Sequence, residues 1–216
     1  MSTLKSLQSF NQALAEVSKS VKIEISLEDL ESLKKANYKL CFAKKVGDNS
    51  FNVVWQSYDS YLVNNTFSWV PQYQLFGSNT FQGNVKVQVA TNTVNIGLGE
   101  TSTLNESGIL EPPFTGGPEI SFTMENNYGS IHPGVNQLST GIDGQTISTP
   151  IYVAEAPILK GDAVLTPVEQ IMVWFQQNVE TSTMFSTARS REVIIDLTTT
   201  DDATRLYKDG EWTTPS

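Results

Sequence analysis

One histidine, His132, and one cysteine, Cys41, are all the imidazole and thiol in this chain of 216 residues. Most side-chain chemistry near neutral pH draws on those two groups. A Cys/His metal centre, a Cys–His nucleophile pair or a CxxC redox site would need partners that the chain lacks. His132 sits in Ser130-Ile131-His132-Pro133-Gly134, a turn-rich stretch in which it is expected to brace a loop. Carboxylates can do acid–base work without histidine, and Glu111, Glu119, Glu125, Asp143, Glu155, Asp162 and Asp196 are the candidates. Spacing along the chain pairs none of them. Gly97-Leu98-Gly99 lacks the third glycine of a dinucleotide fingerprint, and no GxxxxGK[ST], GxSxG or HExxH occurs. Asp143-Gly144-Gln145 and Glu125-Asn126-Asn127 offer oxygen ligands of the kind calcium takes, without the twelve-residue loop spacing. The expectation is therefore no metal, no cofactor and, on balance, no catalysis.

The residue grouping that does point to a function is aromatic and neutral-polar. Residues 55–76 hold Trp55, Tyr58, Tyr61, Phe67, Trp69, Tyr73 and Phe76, interleaved with Gln56, Asn64, Asn65, Gln72 and Gln74. Aromatic rings stack on the C–H faces of sugars, while amides fix the hydroxyls. Tyr58, Tyr61, Asn64, Asn65, Trp69 and Tyr73 are the candidate ligand-binding residues on this reading. Alternation places Phe51, Val53 and Trp55 together inside, with Trp69 sharing that fate, whereas Tyr58, Tyr61 and Tyr73 are expected to reach the surface.

The elements that must carry these residues divide into a helical head and a β body. The head, residues 1–36, has Leu4, Leu7, Phe10, Leu14 and Val17 at helical spacing, then Val21, Ile23 and Ile25 alternating as a short strand. Ser26 with Asp29 resembles a capping box ahead of Leu27, Leu30 and Leu33. From Tyr38 the period is two. Tyr38–Phe42 and Phe51–Trp55 predict a hairpin across Gly47-Asp48-Asn49, and Val85–Val89 is expected to pair with Val94–Leu98. Ile120–Met124, Ile151–Val153, Ile171–Phe175 and Val193–Leu197 read as further strands. Leu206-Tyr207 and Trp212 flank Asp209-Gly210, a hairpin signal. Residues 105–118 and 126–149, rich in Gly, Pro and Asn, are expected to be two long loops. Phe51–Gln56 and Ile171–Gln176 share a Val-Trp centre, a faint internal similarity. Short strands joined by polar turns predict a mostly β fold, an antiparallel β-sandwich over residues 37–216 with the N-terminal helical element packed against it, one domain in all.

Charge bounds the partners. The net charge of −9 argues against a nucleic-acid partner, which needs a basic face. Residues 1–46 carry eight Lys against five acids, and no Lys or Arg lies between Lys86 and Lys160. No run of 18 apolar residues predicts a transmembrane helix, and no signal-peptide pattern opens the chain. With a single cysteine, the expected location is the cytoplasm, unconventional release being left open. The leading expectation is a non-catalytic ligand-binding protein, lectin-like and carbohydrate-binding. The alternatives are a structural or self-assembling homo-oligomer, or a small-molecule enzyme of cyclase or isomerase type with carboxylates in an apolar pocket. A membrane-active β protein is a fourth reading.

Overall fold

The computed structural model describes residues 18–48, 51–186 and 191–215. The amphipathic stripe Leu4–Val17 lies outside the described residues. The protein is mostly β, with its sheets packed in a sandwich-like arrangement.

The largest sheet has seven strands. Its path runs β10 (Thr146–Val153), β9 (His132–Thr140), β4 (Asn64–Ser78), β1 (Lys19–Ile25), β14 (Asp202–Lys208) and β15 (Glu211–Thr213), with β5 (Val94–Ile96) also on β4. Facing it is a four-stranded sheet ordered β13 (Val193–Asp196), β12 (Pro167–Gln176), β2 (Lys39–Val46) and β3 (Gln56–Tyr58). Between them Val21, Ile23, Phe67, Trp69 and Leu75 meet Leu40, Phe42, Ile171, Val173 and Ile195 in one core. Phe42 and Phe67 stack across the two sheets at 4.3 Å. A third sheet, β11 (Gly161–Leu165), β8 (Phe122–Asn126), β6 (Glu100–Leu104) and β7 (Phe114–Thr115), closes one end of the same core with Leu104, Phe122, Met124 and Leu165. Most pairings are antiparallel, but β1–β14 and β6–β8 are parallel.

The helix α1 (Leu27–Lys35) follows from its caps. The Ser26 hydroxyl accepts from the Asp29 amide at 3.2 Å and donates to the Asp29 carboxylate at 2.6 Å. At the other end the Tyr38 amide bonds the Leu33 carbonyl and the Asn37 amide the Lys34 carbonyl, with Asn37 at φ 56°. That pattern is a Schellman stop with asparagine in the left-handed position. Leu30 and Leu33 pack on the core, while Leu27 is 69% exposed.

Several expectations need correction. Residues 126–149 are not a loop. Most of the stretch is the β9–β10 hairpin, whose polar Asn136, Gln137 and Ser139 are buried. Gly134 there faces the ring of Phe76, so close that a methyl group would overlap it. Residues 105–118 do run largely as loop, interrupted by the Leu110 bridge to Leu104 and by the two-residue β7. Phe51–Trp55 does not form the hairpin partner of β2, which pairs with Gln56–Tyr58 instead. Phe51 and Val54 cover the outer face of the β12–β2 sheet, over Cys41, Ala43, Met172 and Trp174. Val53 joins a small cluster with Phe76 and Met184, and only Trp55 enters the main core. All are buried, but not on one face. Val85–Val89 does not pair with Val94–Leu98 either: Val94–Ile96 lies on β4, Val89 bridges Ser78 and Lys86 bridges Thr183. The two Val-Trp segments differ in conformation, one a strand and the other largely irregular. The β14–β15 hairpin turns on Asp209 and Gly210 as expected, both at positive φ.

Candidate functional site

The six residues singled out along 58–73 do not converge on one surface. Tyr61 is fully buried and Tyr73 is 4% exposed, which corrects the expectation that both reach solvent. For Tyr73 the cause is β4, whose period-two alternation points Asn65, Phe67, Trp69, Tyr73 and Leu75 inward. The Tyr61 hydroxyl donates to the Tyr38 carbonyl at 2.9 Å, and burial pushes its pKa up to about 12. Asn65 is a staple: it accepts from the Leu62 amide at 2.7 Å and donates to the Leu62 and Ile23 carbonyls. Trp69 Nε1 donates to Glu169 Oε2 at 2.9 Å. Tyr73 meets Phe122 at 5.4 Å. Tyr58 is half-buried beside Gly141, and Asn64 is exposed.

A cleft of about 870 Å³ opens instead where the end of α1 meets the end of β12. Three segments build it. The Schellman stop presents Lys34, Asn37 and Tyr38 on one wall, with Lys39 below. Gln176 and Asn178, at the end of β12, form the second, and the Gln177 amide donates to the Ala36 carbonyl at 2.5 Å, tying the two walls together. Asn84 and Lys86 form the third, held on Ser182–Met184 by backbone bonds from Asn84, Val87 and Met184. Val179 and Thr183 are the buried floor, and Asp59 lies at the rim.

Asn37, Asn84 and Asn178 all have positive φ, at 56°, 64° and 53°. Asparagine tolerates this conformation because its short amide can bond locally, but here no side-chain hydrogen bond engages the three amides among the described residues. Left-handed residues gathered at one concavity are a recurrent mark of functional sites. Each of the three amides brings a donor and an acceptor to the cleft wall.

Glu180 is hydrogen-bonded and ion-paired with Lys86, which holds its carboxyl below the usual range. Asp196, elsewhere, is also lowered, to about 2, chiefly by Thr198. A general acid needs a shift the other way. His132 is buried in β9 and donates from Nδ1 to the Ala154 carbonyl at 2.7 Å, so it braces the hairpin. Asp143 accepts from the Gln145 amide within its own turn, and Glu125 from Thr103 Oγ1. Among the described residues no three His, Cys, Asp or Glu side chains gather as a metal site, and no helix is long and apolar enough to cross a membrane.

A second cleft, about 530 Å³, includes Gln72, Tyr73 and Gln74 from the aromatic segment. Its central Gln74 is already committed: it donates to Asn95 and accepts from Asn136 and Ser148. Sequence reasoning missed the larger cleft because its amides come from positions 37, 84 and 178. One signal was available: Asn37 follows Lys34-Lys35, a basic last turn and then asparagine, which marks a helix stop. No family model, curated protein or solved structure matches this chain.

Proposed function

We propose that this protein is a non-catalytic carbohydrate-binding protein whose ligand lies in the cleft between α1 and the end of β12. The observation that carries the reading is the convergence of three asparagine side chains, each on a left-handed residue and without a side-chain hydrogen bond among the described residues, beside Gln176 and the partly exposed Tyr38. Amides supply both donor and acceptor to vicinal hydroxyls, and the tyrosine supplies an apolar edge. The test is a broad glycan array followed by calorimetry with the best ligand. Glycine accepts the same backbone conformation without the amide. Asn178→Gly and Asn84→Gly should therefore each weaken binding by roughly fivefold, the worth of about one hydrogen bond, with the fold intact. An empty array with well-folded protein would end this reading.

Self-association is the second reading. The outer face of the β11–β8–β6–β7 sheet carries Phe114 and Val164, each more than half exposed, and Ile120 beside it is 70% exposed. Sedimentation that rises with concentration would favour it, and a single monomeric species at all concentrations would remove it.

A further inference from the structure

We infer that the saccharide bound in the cleft is anionic, bearing a carboxylate or a sulfate ester; this rests on the carbohydrate reading above. The chain has only fourteen basic residues against twenty-three acids. Three of them, Lys34, Lys39 and Lys86, line this one cleft. Lys86 is answered by Glu180. Among the described residues Lys34 is not held against a carboxylate, and its Nζ lies over the Tyr61 ring, 5.6 Å from the centroid. A ring face steadies an ammonium without cancelling its charge. Lys39, half-buried at the start of β2, shares the field of Glu180 with Lys86 but has no ion pair of its own among the described residues. Asp59 at the rim offsets part of this charge, so the cleft is positive by one in a molecule of −9.

That contrast sets the chemistry. The overall field repels anions, so an anionic ligand is held only where local cations face it within a few ångströms, inside the Debye length. The asparagine amides would read the hydroxyls while Lys34 and Lys39 take the charge, each contributing charge-assisted hydrogen bonds.

Paired glycans separate this inference from the reading beneath it. Each acidic saccharide is printed beside its neutral counterpart, an oligouronate beside its methyl ester and a sulfated glycan beside the unsulfated one. The best pair is then titrated calorimetrically. The acidic member should bind about tenfold more tightly, the equivalent of one good charge pair. Lys34→Met with Lys39→Met should bring the ratio of acidic to neutral affinity down to about one, whatever both affinities do, with the thermal midpoint in place. Equal affinities for both members, or an acidic advantage that survives the double variant, would overturn the anionic assignment and leave the carbohydrate reading standing. No binding by any member would overturn both. Because salt also screens the long-range repulsion, the double variant rather than ionic strength is the deciding comparison.

Discussion

Lys44 lies in the apolar register of β2, between Phe42 and Val46, and its side chain has no solvent exposure. Its Nζ meets Glu169 Oε2 at 2.6 Å and lies 4.9 Å from the centroid of Trp69. Burial pulls its pKa down to about 8, against the opposing pull of Glu169. An unfolded lysine titrates near 10.4. Between those values the unfolded chain keeps a proton that the folded chain has released, so stability rises with pH. Tyrosines act in the opposite sense. Burial, the largest cause in each case, raises Tyr58, Tyr61 and Tyr73, so the stability they lend is present below pH 10 and lost above it. Unfolding free energy should therefore climb from pH 8 towards pH 10 by on the order of 3 kcal/mol and fall at higher pH. Urea titrations in half-unit steps read this, and Lys44→Met should flatten the climb. A wild-type profile flat from pH 8 to 10 would contradict the buried charge. Gly134 is the second sensitive position. Its added methyl would strike the Phe76 ring, and Gly134→Ala should cost about 3 kcal/mol in chemical denaturation, at the upper end for overpacking. A loss below about 0.5 kcal/mol would mean that Phe76 moves freely.

At the scale of the element, α1 shows how local signals and long-range contacts share one residue. Asp29 answers the Ser26 cap and also accepts from the Asp209 and Gly210 amides, at 2.8 and 3.2 Å, in the β14–β15 turn. The first role was legible as Ser26-x-x-Asp29, and the turn as Asp209-Gly210. Their meeting was not, because 180 residues separate them. Asp29→Ala should destabilise by about 2 kcal/mol, the worth of charge-assisted bonds, and speed hydrogen exchange at Gly210. Unchanged exchange there would remove the contact. The misread elements share a cause. The β9–β10 hairpin carries Gly, Pro, Asn and Ser, which read as loop, yet its β9 strand is held between β4 and β10, with Gly134 against Phe76 and Gly141 against Tyr58. Phe51–Trp55 has the alternation of a strand, but its side chains are drawn into three separate clusters.

Over the whole molecule, the sequence separates a basic head from an acidic remainder, and the fold partly undoes that separation. β1 lies in parallel beside β14, where Lys19 pairs with Asp201 at 2.8 Å. The parallel pair closes the chain on itself across about 180 residues, so the last strands complete the first sheet. Removing residues 199–216 would uncover the edge of β1, and the shortened chain should lose cooperative unfolding in guanidinium. A sharp transition with native-like stability would show that the closure is dispensable. The sequence alone determined the local matters. The period-two runs made this a β protein, Ser26 with Asp29 marked the start of its helix, and the scarcity of His and Cys narrowed its chemistry, because these depend on residue types and on neighbours a few residues away. Only the tertiary structure decided which strands pair, that Tyr61 and Tyr73 are core, that Lys44 is buried against Glu169, and that Asn37, Asn84 and Asn178 share one cleft. Alternation says that a strand has two faces, but not which is covered or by what. That choice is made by burying every apolar face of the chain at once.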